Sequence, residues 1–372
     1  MAGAAAIVEK FHARYPASPP PRVWRAPGRV NLIGEHTDYN LGLVLPMAID
    51  LNCWIAAAGS SDGWLRVYSE QLGAGSQWRI EDIPNASPVG DWTDRVAGIA
   101  WELSRRGVEL RGTNVLIDSD VPVGGGLSSS AALGIGLALA LGGPREPLET
   151  AKLARAVEMD FVGVPCGIMD QFISAGGQAG SAVLLDCRSL VWRTVRLPED
   201  VAIVSANSMV KHQLGDSAYR TRVEECAEAA RRLGLSSLRD AEVGKLGALQ
   251  GVLLKRARHV VTENARVTRF ADGGDVAEMG RIVTESHISL RDDYQVSCPE
   301  LDFLVEAALR VEGVFGARMT GGGFGGSTVN LVRPEAVGAL RAILTSEYRK
   351  SYGLAPEIHV CVASGGASEI IP

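Results

Sequence analysis

Four short segments hold residues whose types and spacing could do chemistry. The densest is Arg25-Ala26-Pro27-Gly28-Arg29-Val30-Asn31-Leu32-Ile33-Gly34-Glu35-His36-Thr37-Asp38-Tyr39-Asn40. Here Glu35, His36 and Asp38 follow an apolar strand-like run and a glycine, with enough donors and acceptors to hold several hydroxyls of a polyol or sugar. On spacing alone an acidic surface turn fits as well, because Asp, Asn and Gly are ordinary turn residues. The second segment is Pro122-Val123-Gly124-Gly125-Gly126-Leu127-Ser128-Ser129-Ser130-Ala131-Ala132. Its glycines let backbone approach a ligand closely. Its serines sit where a helix begins, adding free N–H groups, hydroxyls and the positive end of the helix dipole. That combination is a phosphate cradle. It is not a Walker A loop, since no Lys-Ser/Thr follows the glycines. A Gly-Ser turn could look similar, but a mere loop tip has no reason to feed an Ala/Leu-rich helix through three serines.

The third segment, Met319-Thr320-Gly321-Gly322-Gly323-Phe324-Gly325-Gly326-Ser327-Thr328, cannot be a strand or helix interior where its glycines cluster. It must turn with positive φ or touch other backbone. The fourth, Cys166-Gly167-Ile168-Met169-Asp170-Gln171-Phe172, places a lone carboxylate among apolar residues on what reads as a helix's first turn. By default Asp170 is a helix-dipole residue, and Glu158, in an Ala-rich helical run upstream, is solvated surface.

These segments need elements to hold them. Strand-like runs occur at Leu43–Asp50, Thr113–Ser119, Ala182–Asp186, Val201–Ala206, Thr328–Val332 and Ile358–Ala363. Helical patterns occupy Tyr219–Leu233, Lys255–Phe270 and Val276–Leu290, and another opens at Pro299 and is closed by Gly313. The order is mixed α+β, with helices concentrated after residue 215. The length of 372 residues suggests two domains at roughly 100–200 residues each, expected as 1–200 and 201–372.

Composition bounds the remaining choices. Hydrophobic residues are 46% and charged residues 22%, as in a soluble globular chain. Thirty-seven Lys+Arg against 43 Asp+Glu leave a net charge of −6, which argues against nucleic acid as the main partner. The basic run Lys255-Arg256-Ala257-Arg258-His259 reads as a solvated helix face. The scattered histidines His12, His212, His259, His287 and His359 receive no catalytic role. Six dispersed cysteines form no C-x-x-C pair and imply neither zinc nor a disulfide framework. The amino terminus lacks a signal-peptide pattern, and the uncharged stretch 121–144 has too few apolar residues to span a bilayer. A reduced, cytoplasmic, soluble protein is expected, without a membrane partner.

Together the four segments resemble those of galactokinases, the sugar-kinase branch of the GHMP kinase superfamily. The run RAPGRVNLIGEHTDYN is similar almost letter for letter to the galactokinase signature, VPVGGGLSSSAA to the superfamily's phosphate loop, and MTGGGFGG to its third motif. VPCGIMDQF, SHISLRDDYQVSCPELD and LLDCRSL resemble further galactokinase segments. The resemblance implies the two-domain GHMP fold, with the active site in the cleft between the domains, and a monomer binding galactose and MgATP. It also implies Asp170 as catalytic base and Arg29 as transition-state cation. The galactose contacts fall on Glu35, His36, Asp38, Gly167 and Tyr219, and the ATP contacts on Gly124, Gly125, Gly126, Leu127, Ser128, Ser129 and Ser130. Ser130 and Glu158 are implied to hold Mg²⁺. One segment departs from the family. Where galactokinases read W-x-N-Y-V-K-G, this chain has Trp92-Thr93-Asp94-Arg95-Val96-Ala97-Gly98. Trp92 can still stack on adenine, but Arg95 and Ala97 replace an aromatic residue and a lysine.

The activity so implied is transfer of the ATP γ-phosphoryl group to the anomeric hydroxyl of galactose. Two rivals accompany it: a kinase of N-acetylgalactosamine or L-arabinose, and a non-catalytic galactose sensor. Sensors lack part of the LSSSAA run, which is intact here.

Overall fold

The computed structural model describes residues 2–211 and 215–371, so His212 lies outside the described residues. Its largest sheet has six strands in the order Ser368–Ile370, Arg22–Asn31, Pro46–Gly59, Thr113–Ser119, Trp64–Ser69 and Ala74–Arg79. All neighbours are antiparallel except Trp64–Ser69, which runs parallel to Thr113–Ser119. A four-stranded antiparallel sheet joins Val314–Thr320, Gly325–Val332, Ala202–Lys211 and Glu357–Cys361. A small third sheet contains Leu43–Val44, Ser181–Asp186 and Trp192–Arg196.

The strand Arg22–Asn31 is the spine of the site. Pro27 cannot donate to a ladder, and the pairing with Pro46–Gly59 shifts register between Pro27 and Arg29. That irregularity leaves the Arg29 N–H free to bond Leu127 O at 3.0 Å, which fastens the glycine-serine loop to the sheet. The helix that follows, Ser129–Ala140, is apolar on nearly every side because it is buried on nearly every side. It packs on Arg22–Asn31 and Pro46–Gly59 and against helices on its flanks.

The expected division near residue 200 falls just before Ala202–Lys211, which opens the four-stranded sheet. Two features tie the halves together. The chain's last strand returns to pair with Arg22–Asn31, and one apolar core contains Ile135 and Ile117 together with Ile203, Val267, Val283 and Leu331. The helices expected after residue 215 are present at Gly215–Arg232, Gly251–Ala271, Val276–Ser289 and Pro299–Leu309. Helices are also present at Ala2–Arg14, Asp94–Arg105, Pro147–Ala156 and Val337–Tyr352.

Candidate active site

Arg29 leaves its strand with a side chain almost wholly buried and meets Asp170 head-on. Its Nε donates to Oδ1 at 2.8 Å and its Nη2 to Oδ2 at 2.7 Å. Its Nη1 donates to Gly126 O at 2.6 Å. Burial works against the Arg29 charge, but the carboxylates of Asp170, Glu35 and Asp38 outweigh it and hold its pKa above that of an ordinary arginine. Asp170 lies in the first turn of Met169–Gly176, as its apolar neighbours require, and stays about a third exposed. It also accepts from the Ser128 hydroxyl.

Ser128 sits in left-handed backbone at φ 62° and turns the loop into the helix. The first i→i−4 bond of that helix is Ala132 N to Ser128 O, so the amides before it point out of the helix start without helical partners. The third glycine segment backs this loop. Ser327 Oγ donates to Gly125 O at 2.5 Å, and a Cβ on Gly126 would come within 3.3 Å of Thr320 O. Both alternatives foreseen for that segment therefore hold: it turns with positive φ at Gly321, Gly323 and Phe324, and it lies against backbone.

On the other side of Arg29 lies a chamber of about 160 Å³ lined by Glu35, His36, Asp38, Gly167, Asp170 and Tyr219. Asp38 rests directly over Gly167: a Cβ there would stand 1.8 Å from Asp38 Oδ2, so any larger residue displaces the Asp38 carboxylate. Burial, followed by the nearby Asp170 charge, pushes the Asp38 carboxyl up to about 7. His36 is pushed down to about 3 by burial and by His259, so it is a neutral imidazole. Its Nδ1 lies 2.8 Å from Tyr39 Oη, which in turn lies 2.7 Å from Tyr294 Oη. Its Nε2 is buried and makes no well-formed hydrogen bond to another described residue, with the Gly322 backbone nearby. The rings of Tyr219 and Tyr294 pack on it at 5.4 and 4.8 Å.

Glu35 is held by two residues of the third segment and by Arg318, which no motif announces. Its Oε1 accepts from Arg318 Nη2 at 2.7 Å, Thr320 Oγ1 at 3.0 Å and Gly321 N at 2.6 Å. Arg318 is fully buried in the strand Val314–Thr320 and also faces Glu263. Glu263 accepts from Gly34 N, Ser286 Oγ and Arg266, and these cations hold its carboxyl down at about 2 against the cost of burial. The one available signal was a lone arginine inside an apolar strand, which demands buried partners. His259, passed over in the sequence, lies 3.1 Å from Glu35 O. Its basic neighbours are spent on structure: Arg256 pairs with Glu225 and Arg258 with Asp293.

A second chamber of about 470 Å³ adjoins the first. Trp92, Gly124, Gly126, Ser128, Ser129, Ser130, Leu133 and Asp170 line it. So do Cys53, Ser69 and Ile117 from the six-stranded sheet and Gln71 from the turn after Trp64–Ser69, which no motif announces. Arg95, Ser130, Asp170 and Arg29 face both chambers.

Glu158 is buried rather than solvated, in a widened turn over Val157–Phe161. Both its oxygens are taken by Arg95, at 2.7 Å from Nε and 3.1 Å from Nη2. Among the described residues no three His, Cys, Asp or Glu side chains gather as a metal site. A divalent ion held through Glu158 does not fit while Arg95 occupies that carboxylate. Ser130 Oγ makes no hydrogen bond to another described residue.

The galactokinase galactose-binding signature matches residues 9–59, the GHMP kinase N-terminal domain 94–178 and the GHMP kinase C-terminal domain 264–350. The galactokinase of Chloroflexus aggregans is 46% identical, with 95% of each chain covered. The chain belongs to the galactokinase family of GHMP kinases. The galactokinase of Actinobacillus succinogenes is 42% identical over 96% of this chain and 97% of its own. The structure of Lactococcus lactis galactokinase complexed with galactose superposes with a TM-score of 0.92 at 33% identity, covering 98% of this chain and 99% of that one. Methanococcus jannaschii mevalonate kinase, at 20% identity and a TM-score of 0.69 over 92% of this chain and 98% of its own, shares the fold. The protein is thus a sugar kinase of the GHMP fold. Among the described residues no helix is long and apolar enough to cross a membrane.

Proposed function

We propose that this protein phosphorylates the anomeric hydroxyl of α-D-galactose with ATP, giving galactose 1-phosphate, ADP and a proton. The observation that carries the reading is the Arg29–Asp170 pair at the junction of a small polar chamber and a larger one floored by a helix N-terminus.

Each group then has a task. The amides and hydroxyls of the loop from Gly124 to Ser130 hold the nucleotide phosphates, and Trp92 offers a face for adenine. Glu35, neutral His36, Asp38 and Tyr219 hold the sugar. Arg318 fixes one Glu35 oxygen and leaves the other for a hydroxyl. Asp170, oriented by the Arg29 fork, accepts the proton of the anomeric hydroxyl while that oxygen attacks the γ-phosphorus and the bond to ADP breaks. Phosphoryl transfer has a loose transition state, so positioning and charge neutralisation dominate, and Arg29 supplies a fixed charge for both. Magnesium is the ordinary counter-ion of ATP in water. Ser130 is the side chain left free to meet it. One chain carries both chambers, which suits a monomer, and six unpaired cysteines suit a reducing cytoplasm.

The test is a coupled ADP-release assay with MgATP and a panel of galactose, glucose, N-acetylgalactosamine and L-arabinose. Galactose should be strongly preferred, since buried groups set for one hydroxyl pattern are left unpaired by an epimer. Equal kcat/KM for glucose and galactose would defeat the sugar assignment. Sugar binding without turnover would instead indicate a sensor.

A further inference from the structure

Of the two positions at which the segment from Trp92 to Gly98 departs from the family pattern, Arg95 faces both chambers. Arg95 stands at the start of the helix Asp94–Arg105. Gly98, on the same helix, lets it approach the turn Val157–Phe161 closely: a Cβ on Gly98 would come within 2.5 Å of Val157 Cγ1. Asp94 anchors the helix start by accepting from Val89 N and Gly90 N at 2.7 and 2.8 Å. The backbone is therefore set so that the Arg95 guanidinium reaches Glu158 in a bidentate fork. That fork uses Nε and Nη2. Nη1 has no hydrogen-bonding partner among the described residues, and the side chain keeps 24% of its surface open, on the wall shared by both chambers. A surface ion pair would be unremarkable, but this carboxylate is only 10% exposed and lies beside the helix start that forms the phosphate cradle.

We propose that Arg95 is a resident cation of the nucleotide chamber: it meets nucleotide phosphates from its seat on Glu158 and competes with a divalent ion for that carboxylate. The inference rests on the reading of the larger chamber as the ATP site and adds a residue to it. A guanidinium suits the task because its fork keeps two donors on a carboxylate while a third stays free for a phosphate oxygen. The consequence is that nucleotide binding should depend less on metal than it would with Glu158 open.

The experiment is calorimetric titration of ADP into the full-length protein, in EDTA and in excess MgCl₂, for wild type, Arg95→Ala and Arg95→Lys. Galactose titration and thermal denaturation report whether each variant is folded. In EDTA, Arg95→Ala should bind ADP about tenfold more weakly, the loss of one charge-assisted contact, and Arg95→Lys should lose less. In MgCl₂ the Arg95→Ala deficit should shrink, because Glu158 is then open to the ion. If the alanine variant does not fold, the lysine variant decides, since it keeps the charge and loses the fork. ADP affinity in EDTA equal to wild type in the folded variants, with only a lower Tm, would make the pair structural and overturn the inference while leaving the kinase reading intact. Equal magnesium responses in wild type and Arg95→Ala would overturn the competition. Wild-type protein that binds no ADP under either condition would overturn the nucleotide reading itself.

Discussion

Arg29 and Asp170 lie 141 residues apart in the chain and meet as two flat forks, with both nitrogen–oxygen distances under 3 Å. The arrangement does two things at once. It aims the aspartate, and it leaves a fixed positive charge beside the oxygen that Asp170 is proposed to deprotonate. Asp170→Asn keeps the shape and removes the base. It should lower kcat by about 10²–10⁴-fold, the range for general-base catalysis. The galactose dissociation constant should stay within about threefold, under 1 kcal/mol. Steady-state assays with a galactose titration check this, and a variant retaining a tenth of wild-type kcat would remove Asp170 from the role.

Arg29→Lys keeps the charge and breaks the geometry. Lysine cannot bond both Asp170 oxygens and Gly126 O together, as Arg29 does. We expect kcat to fall about 10²-fold or more, with ATP KM also raised because the loop loses its side-chain tie at Gly126 O and keeps only the backbone bond at Leu127 O. Kinetics with each substrate varied separately distinguish the two effects.

Gly167→Ala tests the sugar chamber without touching a charge. The new methyl group would occupy the place of Asp38 Oδ2, so Asp38 must swing away. Galactose KM should rise by about tenfold or more, as expected when a hydroxyl-binding group is misplaced, while ADP affinity is unchanged.

The sequence carried some of this further than the rest. Glycine clusters and the three serines pointed to a phosphate cradle because backbone conformation is local, and left-handed Ser128 and Gly126 are local facts. Asp170 could be placed on a helix's first turn for the same reason. What the sequence could not show was pairing across long separations. Spacing alone left Glu158 as surface and Arg95 as an unexplained substitution, yet they form one ion pair 63 residues apart. Arg318 reaches Glu35 across 283 residues. The strands Trp64–Ser69 and Ala74–Arg79, one of them largely exposed, lack the apolar runs by which the buried strands were found.

Arg318 is the residue whose loss should cost the most stability. It is fully buried between Glu35 and Glu263, and removing it would strand two carboxylates without their shared cation. Arg318→Met should destabilise the protein by about 3–5 kcal/mol, the range for breaking a buried ion pair from one side. Urea unfolding measures this. An unchanged midpoint would mean that Glu263 is satisfied by Arg266 alone.

With Asp38 as a proposed sugar ligand, galactose binding should couple to pH. Its carboxyl is pushed up to about 7 by burial and by Asp170, whereas an unfolded aspartate titrates near 4. The folded protein therefore binds a proton that the unfolded chain has released, and ligand-free stability should fall as pH rises from about 4 to 7 and level off above that. Galactose binding should run the opposite way. An ionised carboxylate accepts from two hydroxyls and a neutral one accepts less well, so affinity should strengthen as pH rises through about 7. Asp38→Asn removes the titration. It should stabilise the ligand-free protein at pH values above 7 by on the order of 1 kcal/mol, read as a higher Tm, and weaken galactose binding at every pH. Thermal denaturation and galactose titration across that range check both signs, and a Tm that climbs with pH in the wild type but not in the variant would place the carboxyl in the ordinary acid range instead.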